Sequence, residues 1–371
     1  MTNATVSDAV RGADLVSLET PVPIVDLDRL EANLGRMATY AASHGLALRP
    51  HVKTHKTPWI GARQVALGSV GLTCATPREA EVMSAVAGDI LIAYPPVGQG
   101  RLRRVMSLPP DVRLTVALDS ADAVQGLADA ARAAGRRVGV YVELDFGMRR
   151  VGVATAAEAI DLARLVEREF ALEFRGIAFY PGHIRSDVDA QDEAIARLQQ
   201  DVAAARDAFA RAGIAVPVIS GGSTPTAWRA HETGATEVRP GTYVFNDRTA
   251  AMIGACAWED CALTVLATVV STAVPGQAVI DAGSKALGRE PLRVEGDGFG
   301  VLMAHPDVVV KAMSEEHGLL DLSRTDWRPA VGDVVRVIPN HVCIVVHLND
   351  RLIGVRGDVV EQDWAIAARG R

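Results

Sequence analysis

The stretch RLTVALDSADAVQGLADAARAAGRRVGVYVEL, residues 113–144, contains one repeat of the pattern that decides the fold. Two apolar runs, at 113–118 and 138–144, flank an Ala-rich segment with helical spacing. Short apolar runs are typical of strands buried on both faces, and the segment between them is long enough for a crossover helix. The stretch therefore predicts a strand–helix–strand unit.

The same alternation continues on both sides of this stretch, from about residue 46 to about residue 240. The eight strand-like runs are LALRP (46–50), VGLTC (70–74), DILIA (89–93), RLTVAL (113–118), VGVYVEL (138–144), FRGIAFY (174–180), VPVIS (216–220) and TEV (236–238). Eight strands, each followed by a helix or a long turn, favour a (β/α)8 TIM barrel. Another α/β fold is the alternative, because a count that is wrong by one strand would also fit an open sheet.

The residues after about 255 have a different pattern. Their Val-rich runs, separated by Gly, Pro and Asn-Asp turns, are ALTVLATVVSTAV, QAVIDAG, DVVRVIP, CIVVHLND and RLIGVRG. Almost no helical period is visible, which predicts an antiparallel β domain. We therefore expect a barrel domain at 20–255 and a C-terminal β domain at 256–371, to which residues 1–19 could contribute.

Composition and charge argue against several classes of protein. The chain has 371 residues and a net charge of −7 without a block of Lys or Arg, so nucleic acid is not an expected partner. Its apolar runs are too short and interrupted to span a bilayer, and no secretory signal is visible, so no membrane partner is expected. The four cysteines, Cys74, Cys256, Cys261 and Cys343, are too irregular for a disulfide framework, which indicates a reduced, cytoplasmic protein.

The loop after the seventh run, SGGSTPT (220–226), combines two glycines with hydroxyl side chains. Glycines let backbone amides approach an oxyanion closely, and hydroxyls add donors. The active sites of TIM barrels lie at the C-terminal ends of the strands, and the loop after strand seven often binds phosphate. The loop thus predicts a phosphate site, with an ordinary capped turn as the alternative.

The first run leads into HVKTHK (51–56), in which Lys53 is flanked by His51, His55 and Lys56. Like-charge repulsion and partial desolvation favour a neutral amine, which is a nucleophile toward an aldehyde. A nucleophilic lysine and a phosphate site together suggest pyridoxal phosphate bound to Lys53. The alternative is that both lysines are solvated loop residues.

A third motif, PNHVC (339–343), lies in the predicted β domain. On a strand, His341 and Cys343 would point to the same face. Imidazole and thiolate are a ligand pair for Zn²⁺, and two protein ligands leave positions open for water or substrate, as in catalytic sites. The alternative is a buried cysteine beside a hydrogen-bonded histidine.

These motifs resemble the D-threonine aldolase/D-serine dehydratase family of fold-type III pyridoxal-phosphate enzymes, whose barrel is similar to that of alanine racemase. The similar segments are TPVPIVDLDRLEANL, RPHVKTHKT, ELDFGMRRVGV, YPGH, GGSTPT, EVRPGTYVFND, DAGSKAL, SEEHG and IPNHVC. The resemblance implies a homodimeric lyase that acts on a small D-amino acid. It also implies pyridoxal 5'-phosphate and a divalent metal ion as cofactors, with Zn²⁺ expected ahead of Mn²⁺ or Mg²⁺.

The resemblance also implies a role for individual residues. Lys53 is the Schiff-base lysine and the catalytic base, and Arg150 lies near the phenolic oxygen of the cofactor. Tyr180 approaches the cofactor, and Arg239 lies near the pyridine nitrogen. The remaining cofactor contacts, mostly to the phosphate, are Gly222, Ser223, Thr224, Gly241, Thr242 and Tyr243. The metal ligands are His341 and Cys343.

The reaction type depends on the second metal ligand. In the aldolase branch it is typically an aspartate and in the D-serine dehydratase branch a cysteine, so Cys343 favours dehydration of D-serine or 3-hydroxy-D-aspartate to a 2-oxo acid and ammonia. Retro-aldol cleavage to glycine and an aldehyde, as by a D-threonine aldolase, is the alternative. A non-catalytic pyridoxal-phosphate carrier is less consistent with the long β domain, and a metal-dependent barrel hydrolase with the scattered histidines.

Overall fold

The computed structural model describes residues 11–370, which form two compact units. One unit comprises the described residues up to Leu34 together with Thr242–Ala367, and the other comprises Gly35–Gly241 and the residues from Ala368 onward. These bounds differ from the expected 20–255 and 256–371. The reason is that Val22–Asp26 pairs with strands from the C-terminal part of the chain.

The strands within the described residues are β1 Val22–Asp26, β2 Ala47–Leu48, β3 Leu72–Cys74, β4 Asp89–Ile92, β5 Arg113–Leu118, β6 Val138–Glu143, β7 Leu172–Ala178, β8 Val218–Gly221, β9 Glu237–Val238, β10 Leu263–Ser271, β11 Gln277–Ile280, β12 Gly300–Leu302, β13 Val310–Met313, β14 Gly318–Asp321, β15 Val334–Pro339, β16 Arg351–Arg356 and β17 Val359–Ala365. The α-helices are α1 Leu27–Ser43, α2 Pro58–Ala66, α3 Pro77–Met83, α4 Gln99–Met106, α5 Ala121–Ala133, α6 Ala156–Arg168, α7 Asp192–Arg211, α8 Arg248–Met252, α9 Ser284–Leu287 and α10 Val342–Leu348. None of the helices found between residues 11 and 370 is long and apolar enough to cross a membrane.

The Gly35–Gly241 unit is a barrel of eight parallel strands in the order β2-β9-β8-β7-β6-β5-β4-β3. The first and last strands of this order also meet. The carbonyl oxygens of Leu48 and Pro50 accept hydrogen bonds from the amides of Val70 and Thr73, each at 2.9 Å. The eight predicted strands and the TIM barrel are therefore confirmed.

The stretch that contains β5, α5 and β6 shows why these residues fold in this way. Both strands are buried along almost their whole length, because they carry helices outside and side chains inside. Ser120 caps α5 by accepting a hydrogen bond from the amide of Ala123. The buried face of α5 has the 3.6-residue period expected of an amphipathic helix and consists of Val124, Leu127, Ala128 and Ala131.

The other unit is a mostly antiparallel sheet, which confirms the predicted β domain. Its strand order is β13-β14-β11-β10-β1-β16-β17, and β15 pairs with β10 and β12. Only the described pair β1–β16 is parallel in this sheet. The predicted strand CIVVHLND is wrong, because its first residues form the helix α10. The buried residues of this helix are Val342, Val345 and Val346. Their spacing of three and four residues is typical of one face of a helix.

Candidate active site

Lys53 lies in a single 3₁₀ turn, Val52–Thr54, that follows the C-terminal end of β2. His51 caps this turn, since its Nδ1 accepts a hydrogen bond from the Lys53 amide at 3.4 Å. The Lys53 Nζ is 5.8 Å from the ring centroid of Tyr180. The guanidinium carbon of Arg150 is 4.8 Å from the same centroid. The fold thus brings together three side chains that were predicted from three separate motifs.

Lys53 differs from the other three lysines of the chain. Lys56 is buried, and its Nζ lies 2.5 Å from the carboxylate of Glu79. This ion pair overturns the alternative in which both lysines of HVKTHK are solvated. Lys285 and Lys311 belong to the other unit. Among the described residues Lys53 forms no ion pair with a carboxylate, and its amine lies over the Tyr180 ring.

The two histidines of HVKTHK are neutral at neutral pH. Desolvation, followed by the charges of Lys53 and Arg239, lowers the pKa of His51 well below its usual range. Burial lowers the pKa of His55 to about 3. The His55 Nε2 lies 3.2 Å from the Oε1 of Gln64, so this ring has a hydrogen-bond partner inside the barrel unit.

The loop Gly222–Thr224 begins directly after β8 and is buried. Gly222 has a φ of +89°, which residues with a Cβ rarely adopt. Ser223 and Thr226 share a hydrogen bond between their hydroxyls at 3.0 Å. The buried Oγ1 of Thr224, however, has no hydrogen-bond partner in the described part of the chain. A buried unpaired hydroxyl is unfavourable, so this loop fits a phosphate group that would pair with it.

Gly241 lies against the turn that carries Lys53. A Cβ at this position would be 2.9 Å from Thr54 Oγ1 and 3.1 Å from the carbonyl oxygen of His51. Only glycine therefore allows the two backbone segments to approach so closely. The next residues along the chain, Thr242 and Tyr243, begin a 3₁₀ turn that belongs to the other unit.

A buried chain of polar side chains holds Arg239. Its Nη1 donates to Ser220 Oγ, which donates to Glu237 Oε1, both at 2.6 Å. The other carboxylate oxygen of Glu237 accepts from Arg49 Nε at 2.7 Å. Burial lowers the pKa of Arg239, and the nearby Glu143 and Glu237 act against this effect. Arg239 is thus a fixed guanidinium that immediately follows β9.

His341 and Cys343 lie in the other unit, where β15 leads into α10. His341 is the N-cap of α10 and Cys343 is the second residue of the helix, so they do not share a strand face as expected. Their side chains nevertheless form a hydrogen bond. The two side chains therefore meet at the start of α10, where His341 has an extended backbone and Cys343 a helical one.

Asp247 orients the imidazole of His341. Its Oδ2 is 2.9 Å from the His341 Nδ1, and its Oδ1 accepts from the amide of Ala250 at the start of α8. Burial opposes a charge on His341, but Cys343 and Asp247 raise the pKa of this imidazole well above its usual range. A carboxylate on Nδ1 is the usual support of a metal-binding histidine, and it leaves Nε2 for the metal.

The donor set at this position fits a metal ion with open coordination positions. Within residues 11–370 no group of three or more His, Cys, Asp or Glu side chains forms a ready metal centre. An imidazole and a thiol without further protein ligands suit an ion that also binds water or substrate. Asp247 was missed by sequence analysis, because it is 94 residues from His341. Its only local signal is a position directly before a helix.

Comparison with known proteins identifies the family. Residues 25–249 match the family described as "Alanine racemase, N-terminal domain", and residues 262–355 match "Putative serine dehydratase domain". A D-threonine aldolase from Arthrobacter sp is 33% identical over 97% of this chain and 95% of its own length. A D-threo-3-hydroxyaspartate dehydratase from Delftia sp. (strain HT23) is 35% identical over 89% of this chain and 92% of its own length.

Solved structures give the same result. The D-threonine aldolase from Filomicrobium marinum has a TM-score of 0.89 and 34% identity, and the match covers 97% of this chain and 98% of that one. The Delftia dehydratase has a TM-score of 0.88 and 32% identity, with 96% and 100% covered. A variant of that dehydratase was solved in a metal-free form. The chain therefore belongs to the D-threonine aldolase/D-serine dehydratase family, whose lyases combine an alanine racemase-like barrel with a C-terminal β domain.

Proposed function

We propose that the chain is a metal-dependent dehydratase that uses pyridoxal phosphate to convert a D-β-hydroxy amino acid into a 2-oxo acid and ammonia. D-serine and 3-hydroxy-D-aspartate are the substrates that we expect. The observation that carries this proposal is the pair His341 and Cys343, with Asp247 behind the imidazole. A cysteine in the second ligand position is the feature that we associate with the dehydratase branch.

The barrel unit offers the groups that pyridoxal phosphate requires. The unpaired hydroxyl of Thr224 and the close backbone at Gly222 suit the phosphate, and Lys53 presents a free amine. Arg150 and Tyr180 are expected to contact the ring, because both lie beside Lys53. When bound, the cofactor supplies an electron sink for the substrate.

The chain's own residues then have separate tasks. Lys53 holds the cofactor in the resting protein, and its Nζ removes the α-proton once the substrate has replaced it. His51 is neutral at neutral pH, so it adds no positive charge next to Lys53. His341 and Cys343 would hold the metal ion, which supplies Lewis acidity to the departing hydroxyl.

Retro-aldol cleavage is the second candidate. The similarity to the D-threonine aldolase from Arthrobacter sp, which is 33% identical over 97% of this chain, supports this candidate. The two reactions differ in the bonds that break, which are Cα–H and Cβ–O in dehydration and Cα–Cβ and the hydroxyl O–H in the retro-aldol reaction. Product analysis therefore separates them.

The experiment supplies D-serine, D-threonine and D-threo-3-hydroxyaspartate to the protein loaded with pyridoxal phosphate and Zn²⁺. We expect 2-oxo acid and ammonia in equal amounts, loss of activity with a chelator, and recovery with Zn²⁺, Mn²⁺ or Mg²⁺. His341→Ala should abolish turnover, whereas His305→Ala, in the same unit but stacked on Trp327, should not. Glycine and an aldehyde as the main products would contradict the dehydratase proposal.

We also propose a homodimer in a reducing compartment such as the cytoplasm. The four cysteines are all free thiols, in agreement with such a compartment. Light scattering after size-exclusion chromatography should give about twice the mass of one chain. A monomeric mass at micromolar concentration would contradict the dimer.

A further inference from the structure

Glu143 is a buried carboxylate without a hydrogen bond or ion pair from its side chain in the described part of the protein. It is the last residue of β6 and is 5% exposed. The other buried carboxylates each have a cationic partner, in the pairs Glu79–Lys56, Glu237–Arg49, Asp247–His341 and Asp363–Arg351. The Glu143 oxygens are not among the fully enclosed polar atoms that lack a partner in the described residues, so they remain accessible to a ligand.

The side chain of Glu143 points into the barrel near its C-terminal end. Alternate residues of a strand share a face. Tyr141, two residues earlier, packs against Leu91 and Ala117, and its hydroxyl lies 3.5 Å from Glu237 of β9. Because β6 and β9 are separated by two strands, this contact crosses the barrel interior. Glu143 therefore occupies the same inner face, closer to the end where Lys53 lies.

The charges of two arginines and two carboxylates act on Glu143. Burial raises the pKa of the Glu143 carboxyl group, Arg239 and Arg150 act against this effect, and Asp119 and Asp145 add to it. The two arginines are those expected to contact the cofactor ring. Arg239 directs its own hydrogen bonds to Ser220 and Phe179, and neither arginine forms an ion pair with Glu143 in the described part of the chain.

We propose that Glu143 is a further ligand-binding residue of the barrel site. Its carboxyl group forms a hydrogen bond with a polar ring atom of bound pyridoxal phosphate. The inference rests on the proposed function, because it takes this cofactor as the occupant. The phosphate loop and Lys53 account for the phosphate and the aldehyde. Arg150 and Arg239 are expected at the phenolic oxygen and the pyridine nitrogen, and Glu143, on which the charges of both arginines act, is a third group at this part of the ring.

The test is a titration of the apoprotein with pyridoxal phosphate, followed by the visible absorbance of the bound form at several pH values. Glu143→Gln keeps the shape of the side chain and removes its proton exchange. We expect its dissociation constant to rise about tenfold, the loss expected for one polar contact. The pH dependence of binding should also change. The matched control is Glu173→Gln in β7, whose partly exposed carboxylate pairs with Arg175 and should not affect binding.

The melting temperature of the apoprotein gives a second readout. The pKa of Glu143 is raised in the folded state. At pH values above the ordinary pKa of glutamate, the folded state therefore binds more protons than the unfolded state. Stability therefore decreases as the pH rises through the interval between the two pKa values. Glu143→Gln lacks this decrease, so the variant should melt at the same or a higher temperature at neutral pH.

A second variant keeps the inference testable if Glu143→Gln does not fold. Glu143→Asp retains the ionisable group but shortens it, so it should weaken cofactor binding while a pH dependence persists. Wild-type affinity and wild-type pH dependence in the folded variants would overturn the inference. Failure of the wild-type protein to bind pyridoxal phosphate would instead overturn the proposed function, and the inference with it.

Discussion

The reactivity proposed for Lys53 comes from the state of its neighbours. The sequence HVKTHK suggests a cluster of positive charge, but desolvation keeps His51 and His55 neutral. Lys56 is neutralised by Glu79 in a buried ion pair. The like-charge repulsion expected from the motif is therefore reduced to a minor effect. What distinguishes Lys53 from Lys56 is that, in the part of the chain described, no carboxylate binds its amine.

His55 should make the protein lose stability in acid. Its folded pKa of about 3 lies below the ordinary value of 6.5, so the unfolded state binds the proton first. Stability should fall as the pH decreases through 6.5 and toward 3. His55→Asn, which keeps an acceptor for the Thr57 amide, should lose less stability over this range. Urea unfolding at about pH 8 and about pH 5 measures both losses, and equal losses would contradict the assignment.

Asp247 should control the affinity for the metal ion without binding the ion itself. Asp247→Asn weakens the support of the His341 imidazole, so we expect the affinity for Zn²⁺ to fall roughly 10- to 100-fold. Competition with a chromophoric chelator measures this affinity directly. Asp307→Asn, an exposed aspartate of the same unit, is the control. Unchanged affinity in Asp247→Asn would show that the contact has no role in metal binding.

The helix α10 shows where the sequence alone could not decide between two structures. Its seven residues are almost all apolar, and such a short run fits a buried strand as well as a helix. In the structure, the side-chain amide of Asn340 donates hydrogen bonds to the carbonyls of Glu290 and Gly298. These contacts fix the chain directly after β15, and α10 begins two residues later. The partners of Asn340 are distant in sequence, so no local pattern predicts this end of the strand.

The backbone at Gly241 should tolerate no side chain. Gly241→Ala places a Cβ 2.9 Å from Thr54 Oγ1, and the resulting shift of the Lys53 turn should cost about 1–3 kcal/mol of unfolding free energy and weaken cofactor binding. Gly100→Ala in α4 is the control, because nothing lies within 4 Å of its Cβ. This control should stabilise the protein by about 0.5–1 kcal/mol. Chemical unfolding measures both changes, and equal stability of the two variants would contradict the packing described for Gly241.

The two units contribute different chemical groups to the proposed reaction. The barrel carries Lys53, the phosphate loop and Arg239, while the β unit carries His341 and Cys343. The sequence predicts the barrel well, because its strands are buried apolar runs separated by amphipathic helices. The barrel's candidate residues remain predictions, which rest on their positions after the C-terminal ends of strands.

The contacts of Asp247 and Glu143 could not be predicted from the sequence. Asp247 contacts His341 although the two are 94 residues apart in the chain. Glu143 is buried without a hydrogen bond from its carboxylate, and only a folded structure shows this. The sequence pattern also did not predict the boundary between the two units. It depends on β1, which precedes the barrel helices in the chain but pairs with β10 and β16.

The covalent attachment of the cofactor tests the account most directly. The protein loaded with pyridoxal phosphate is reduced with borohydride, digested, and its peptides are sequenced by mass spectrometry. We predict the pyridoxyl phosphate label on Lys53 in the wild type and in Lys285→Ala, an exposed lysine of the other unit, and no label in Lys53→Ala. A label on Lys56, Lys285 or Lys311, or no label on any lysine, would contradict the account.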